Sequence, residues 1–460
     1  MAKKNDIVTV EISDVTPDGA GVGKIDGGYV LFVPGTAPGD VIEARVLKTE
    51  KSYGYAKIEN VVAPSPFRKE QSCPVFPRCG GCLYRHIKYE KELEIKKNWV
   101  LQNFRRIGGF DVGDIEIFSA GSPDGYRNKA QYPAQMIGGK LCFGFYSTHS
   151  HRVAPCRACA LQPPFYADIV GAAEDFLNRQ FVKAYDEESG TGIVRHLFIR
   201  HGAGSGEVTV SLIINADALP HSDEFVEAVR GACGNIVSVS LIVNKKRTNE
   251  ILGDKCEVIY GKDHITDVLC GMRFDVSPLS FYQVNHDGAE LLYGLAKRLA
   301  AFEGGETLLD LYCGTGTIGL SMAKDARRLI GVEIIPAAVE NAKENAAKNG
   351  IGNAEFICAD AGEAAVRLAQ EGIAPDVVVI DPPRKGCGAD VYAAIGKMRP
   401  KRIVMISCNS ATGARDAAEF AKTGYEMKYL AAVDMFPRTG HVETVVLMSQ
   451  EGARQRNRCH

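Results

Sequence analysis

At 460 residues, the chain has room for two to four domains of roughly 100–200 residues each. Its 45% hydrophobic and 24% charged residues are ordinary globular proportions, so large buried cores are expected. A net charge of −2, from 54 basic and 56 acidic residues, excludes whole-chain attraction to nucleic acid; any such partner must be met by local patches.

The opening stretch "MAKKNDIVTV" has no apolar signal core, and no run is long enough to span a membrane. A cytoplasmic protein without membrane contact is expected, and no obligate protein partner is evident. Fourteen cysteines in such a chain are kept reduced, so clustered ones bind metal or do chemistry.

Taken in chain order, residues 7–62 read as about five short alternating strands separated by glycine turns such as "PDGAGVGKIDGG". That pattern suits a small closed barrel of the oligonucleotide-binding type over 1–64. Arg45, Lys48, Lys51 and Lys57 surround Tyr53 and Tyr55, either as a nucleic-acid face or as plain solvated surface. "APSPFR" (63–68) is a Pro-marked linker. Beyond it "CPVFPRCGGC" sets Cys73, Cys79 and Cys82 at x5 and x2 spacing, and "HSHRVAPCRACALQ" adds Cys156 and Cys159. Four thiolates suit a [4Fe–4S] cluster or structural zinc, and the spacing does not choose between them.

"EKELEIKKNWVLQNFRRI" reads as a helix with Leu93, Val100, Phe104 and Ile107 at helical spacing, and with Lys96, Lys97, Arg105 and Arg106 adding positive charge. Mixed strands and helices follow, giving a central α+β domain over 65–275. From about 290 strands alternate with helices, which predicts a doubly wound, Rossmann-like parallel sheet in a domain spanning 276–450. A loose polar tail is expected over 451–460. The fold class is thus multidomain: barrel, α+β domain, α/β domain.

"LLDLYCGTGTIGLSMA" places Gly314, Gly316 and Gly319 between a strand and a helix, with Glu333 about 20 residues on at the tip of the next strand. Glycines let backbone approach a nucleotide-type ligand, and the carboxylate accepts ribose hydroxyls. Asp310 and Tyr312 at the strand end, and Asp381 in "VVVIDPPRKG", favour S-adenosylmethionine over NAD, because acidic groups suit a cationic amino-acid ligand. Further on, "VMISCNSAT" ends an apolar run in Cys408 and a polar burst. This is either a buried strand end or a displayed nucleophile.

"SPLSFYQVN" (277–285), "DLYCGTGTIGL" (310–320), "DPPRKG" (381–386), "SCNSAT" (407–412) and "DMFPRTGHVE" (434–443) come in the order found in bacterial RNA (uracil-5-)-methyltransferases, which the chain resembles over nearly its whole length. The barrel resembles the TRAM domain of the 23S rRNA members. The resemblance implies methyl transfer from S-adenosylmethionine to C5 of a uridine, with Cys408 as nucleophile at C6 and Glu443 as the base that removes the C5 proton. It implies cofactor binding by Gln283, Tyr312, Gly314, Gly316, Glu333 and Asp381; Thr317 departs from the Asn of some members. It also favours a [4Fe–4S] cluster on Cys73, Cys79, Cys82 and Cys159 over zinc. RNA contacts are expected at Arg127 and Lys129 in "GYRNKAQYP", at Tyr53 and Lys57, and more weakly at Arg195. A helix following Cys408 would hold it as thiolate, and strand alternation would put His441 on the face of Glu443. The implied RNA is 23S rRNA, with tRNA as the alternative. An RNA cytosine-5-methyltransferase and a non-catalytic RNA-binding iron–sulfur protein are the other readings.

Overall fold

A computed structural model describes residues 2–253 and 255–450, so the expected loose tail over 451–460 lies outside the described residues. Strands β1 (Ile7–Val15), β2 (Ala20–Ile25), β3 (Tyr29–Pro34), β4 (Val41–Thr49) and β5 (Tyr53–Ala63) close a barrel in the order β1-β2-β3-β5-β4. Alternation builds it: Val10 and Ile12, Leu31 and Val33, and Ile42, Ala44 and Val46 point inward from successive strands. Asp40 pins the chain where it leaves the barrel. It accepts from Ala37 N (2.6 Å) and Ser65 N (2.8 Å) and pairs with Arg68 (2.7 Å).

Helix α1 (Tyr89–Arg106) follows, then the short strand β6 (Glu116–Ser119). The buried face of α1 differs from the expected stripe. Leu93 is half-buried and Ile107 exposed, whereas Glu92, Ile95, Lys96, Val100, Leu101 and Phe104 face inward. Two charged residues thus stand among the apolar ones, and Lys96 supplies no surface charge.

A seven-stranded sheet comes next, from β7 (Lys129–Ile137), β8 (Lys140–Tyr146), β9 (Val153–Pro155), β10 (Val194–His201), β11 (Val208–Ile214), β12 (Ile236–Val243) and β13 (Lys255–Gly261). Its order is β13-β12-β11-β10-β7-β8-β9, with α2 (Phe165–Arg179) and α3 (Ser222–Ala232) packed on one side. A hairpin, β14 (Ile265–Leu269) and β15 (Met272–Val276), leads onward.

The last unit contains α4 (His286–Ala300), β16 (Thr307–Leu311), α5 (Thr317–Ala323), β17 (Arg328–Glu333), α6 (Pro336–Lys348), β18 (Ala354–Cys358) and α7 (Ala361–Gln370). It continues with β19 (Val377–Ile380), α8 (Ala389–Met398), β20 (Arg402–Ser407), α9 (Ser410–Lys422), β21 (Tyr425–Asp434) and β22 (Glu443–Gln450). The sheet runs β18-β17-β16-β19-β20-β22-β21-β6, with β22 antiparallel to both its neighbours. Consecutive residues feed opposite cores. Leu309 and Leu311 join α1, α7, α8 and α9, while Leu308 joins α4 and the hairpin. The expected 65–275 block is therefore divided: α1, β6 and the hairpin pack into the C-terminal sheet, not the central one. β6 is too short and too distant in sequence to advertise this pairing. Among the described residues no helix is long and apolar enough to cross a membrane.

Candidate active site

The strand order reverses at β16, whose neighbours are β17 and β19, and a crevice opens at the carboxyl ends of such strands. There the chain turns through left-handed backbone at Tyr312 (φ +66°), Gly314 (φ +56°) and Gly316 (φ +82°). Tyrosine pays a steric penalty in that region, so the turn is held by its surroundings. Glu333 helps to hold it, accepting from Gly314 N (3.0 Å) and Ile335 N (2.9 Å). Asp310 accepts from Gly319 N at 2.8 Å, and a Cβ at Gly319 would stand 2.6 Å from that carboxylate, so only glycine fits. Gln283 reaches the same edge, its carbonyl held by Asn128 Nδ2 at 2.9 Å. The phenol of Tyr312 packs on the core beside Cys387.

Burial dominates the electrostatics. It pushes the Asp310 carboxyl up to about 8, helped by the charges of Asp381 and Glu333, and raises Asp381 to about 6. Carboxylates that resist ionising at this edge gain from a cation brought near them.

Cys408 and Glu443 meet at this edge. In the β20–β22 ladder Ser407 pairs with Thr444, which sets the next residues, Cys408 and Glu443, opposite one another. Glu443 is buried, and its Oε2 has no hydrogen-bond partner among the described residues. Burial, and then the charge of Asp381, push its carboxyl up to about 8 against the pull of Arg384. The half-buried Cys408 thiol is also raised, by burial and by the charges of Glu443 and Asp381, with Arg384 opposing.

Two expectations change here. The helix after Cys408 is present, but the Asn409 side chain caps it, accepting from Ala411 N (3.0 Å) and Thr412 N (3.5 Å). Two of the donors meant for a thiolate are thus taken, and the surrounding carboxylates favour the neutral thiol. His441 precedes β22 and does not share its alternation; its ring lies against Arg384, with a guanidinium nitrogen 3.2 Å from Nε2.

Cys73, Cys79, Cys82, Cys156 and Cys159 line one cavity of about 490 Å³, part of it open to solvent, with Phe76, Phe145 and Arg127. Burial raises the thiols of Cys79 and Cys82, and those of Cys156 and Cys159 to about 12. Among the described residues no three His, Cys, Asp or Glu side chains are gathered so as to hold a metal ion, so the expected metal site is not shown.

On the barrel, Phe32, Tyr53 and Tyr55 form a triangle of rings with centroids 5.7–5.8 Å apart, and Lys57 is exposed nearby. Arg127 bridges to Asn285, next to the Gln283 segment. Lys129 is half-buried, and burial beside Arg200 and Arg127 lowers it to about 8. Arg195 is no RNA contact: it is buried and donates to the carbonyls of Asn244 (3.0 Å) and Lys246 (2.7 Å). The charged pair Glu92 and Lys96 escaped sequence reading, because Glu and Lys four apart on a helix usually mark a solvated face.

Residues 205–451 match the family described as tRNA (Uracil-5-)-methyltransferase, and residues 2–58 match the TRAM domain. A chain from Halalkalibacterium halodurans described as an uncharacterized RNA methyltransferase is 40% identical over 446 residues, 97% of both chains. Another of that description, from Listeria monocytogenes serotype 4b, is 38% identical over 448 residues, 97% of this chain and 98% of that one. Among solved structures, Pyrococcus abyssi tRNA (uracil-54, C5)-methyltransferase in complex with S-adenosyl-L-homocysteine superposes with a TM-score of 0.78 at 26% identity. That match covers 96% of this chain and 100% of the archaeal one. With a family match over more than half its length and relatives aligned over nearly all of it, the chain belongs to the tRNA (uracil-5-)-methyltransferase family of RNA-modifying enzymes.

Proposed function

We propose that this RNA methyltransferase moves a methyl group from S-adenosylmethionine to C5 of a uridine, using Cys408 and Glu443. The carrying observation is their opposition across the β20–β22 ladder, beside the glycine loop. Uracil C5 is a poor nucleophile. Addition of the Cys408 thiolate to C6 pushes the ring electrons toward O4 and gives an enolate whose C5 attacks the sulfonium methyl. S-adenosylhomocysteine leaves. Glu443 then takes the C5 proton, the electron pair re-forms C5=C6, and the Cys408–C6 bond breaks. Gln283, Tyr312, Gly314, Gly316, Glu333 and Asp381 hold the cofactor, whose positive charge favours the ionised forms of Asp381 and Glu443.

The substrate is a flipped uridine in cytoplasmic 23S rRNA, held by the barrel rings and Lys57 and by Arg127 and Lys129. Resemblance to the TRAM-bearing rRNA enzymes supports this reading. A second reading, tRNA, is favoured by the near full-length match to an enzyme named for tRNA uracil-54. Mass mapping of 5-methyluridine in the rRNA and tRNA of a deletion strain separates the two. Purified Cys408→Ala protein should bind RNA without methylating it; methyl transfer by that variant would refute the mechanism. The cytosine reading is weakened by Arg384 at the place where those enzymes carry a cysteine, and by the burial of the nearby Cys387.

Cys73, Cys79, Cys82 and Cys159 would hold a [4Fe–4S] cluster. Thiols spread around a cavity suit a polynuclear group better than one ion drawn to a point. Such a cluster would cross-link the loops that carry the cysteines. Anaerobically purified protein should be brown, with a broad band near roughly 400 nm. Colourless protein with stoichiometric zinc would sink the assignment.

A further inference from the structure

Glu92 and Lys96 lie one turn apart on α1, and each is at most 1% exposed. A buried ion left unpaired costs several kcal/mol, so the partners of these two residues matter. Apart from each other, they pair with Asp434 at the end of β21 and with Phe436 and Arg438 of the loop that follows it and delivers Glu443. Lys96 Nζ donates to Glu92 Oε1 (2.8 Å), Asp434 Oδ1 (2.9 Å) and the Phe436 carbonyl (3.1 Å), which uses all three of its hydrogens. Glu92 Oε1 accepts from Arg438 N (2.6 Å), and Oε2 accepts from Arg438 Nη1 (3.1 Å). Tyr89, also on α1, donates to Asp434 Oδ2 at 2.9 Å.

The anchored points lie on the segment that leads into Glu443. Val433 is its strand partner on β21, and Asp434 is the next residue. Phe436 and Arg438 then carry the chain toward β22, and Arg438 holds a left-handed backbone (φ +70°) that a non-glycine residue avoids unless it is held there. We propose that Glu92 and Lys96 are positioning residues for Glu443, setting the loop so that its carboxylate meets the uracil C5 proton. The proposal rests on the reading of Glu443 as the base. A buried ionic network contributes little net stability over apolar packing, so geometry is what this one supplies.

The test separates the two halves of the reaction. RNA carrying [5-³H]uridine and methyl-labelled S-adenosylmethionine is given to Lys96→Met enzyme in single turnovers. Methyl transfer into a denaturation-stable Cys408 adduct should stay within a few-fold of wild type. Tritium release should slow by about 100-fold, the cost of roughly 1 Å of misplacement, and the adduct should accumulate. A Tyr89→Phe variant, which removes one hydroxyl from the same network, should show the same split at smaller size and decides the matter if Lys96→Met does not fold. Equal slowing of methyl transfer and tritium release, or no change in either, overturns the proposal. A Glu443→Gln control that releases tritium normally would instead overturn the base assignment beneath it.

Discussion

Arg384 lies against the ring of His441, and its guanidinium is the cation that draws both Cys408 and Glu443 back toward their charged forms. Both groups are otherwise pushed toward neutrality by burial and by neighbouring carboxylates. Glu443 accepts a proton only when ionised, so turnover should climb as pH rises toward about 8. An Arg384→Met variant should move that limb to higher pH, with the largest loss below neutrality. An unshifted pH profile in steady-state methylation assays would show that the cation does not govern either group.

Asp310 gives a stability test with a definite sign. Its folded-state carboxyl sits at about 8 against an ordinary 3.8. The folded form therefore holds its proton longer than the unfolded chain does. The favourable contribution is complete below about pH 4 and is lost as pH rises through about 8. Between those limits the Tm of wild type should fall more steeply than that of Asp310→Asn, which cannot ionise and still offers an oxygen to Gly319 N. Thermal scans across the range check this, and equal slopes would count against it.

On the barrel, the proposed function has bases stack on Tyr53 and Tyr55. Each alanine substitution should weaken RNA binding by about 1–3 kcal/mol, the scale of one base stacked on an aromatic ring. Cofactor binding should be unchanged, since the rings belong to a different module. Filter binding for RNA and calorimetry for S-adenosylhomocysteine give the two readouts.

Trp99 is the single tryptophan in the sequence, and its Nε1 donates to the Val15 carbonyl of the barrel at 3.0 Å. Its emission therefore reports barrel docking. Asp40→Ala would orphan the buried Ala37 and Ser65 N–H groups and unpair Arg68. A loss of about 3 kcal/mol is expected. The Trp99 transition should move to lower urea, ahead of the loss of methyl-donor binding.

Family, barrel and doubly wound sheet were legible because each has a local signature: strand alternation, a glycine loop after a strand, and motif order. The opposition of Cys408 and Glu443 was not local, since it depends on β22 inserting antiparallel between β20 and β21. The error over α1 has a physical cause as well. Glu92 and Lys96 carry the charge pattern of a solvent-facing pair, and only the distant Asp434 and Arg438 turn that pattern inward. The help expected for the Cys408 thiolate from the following helix is reduced for a related reason. A helix start can be read from "NSATGARDAAEF", but not that Asn409 would take two of its free donors. Arg195 looked exposed because an arginine in a strand usually is, and here three loop carbonyls enclose it.

The loop before β22 also bears on how the molecule comes into being. The carbonyls of Met435, Phe436, Pro437 and Arg438 are taken by Asn285, Lys96, Tyr126 and Leu83 in turn, four segments made long before it. β22 follows in synthesis every strand it joins, and β6 waits some 300 residues for β21. Before β22 inserts, the chain carries Cys408 without its opposite carboxylate, so the pairing that defines the site waits on the strand that joins last.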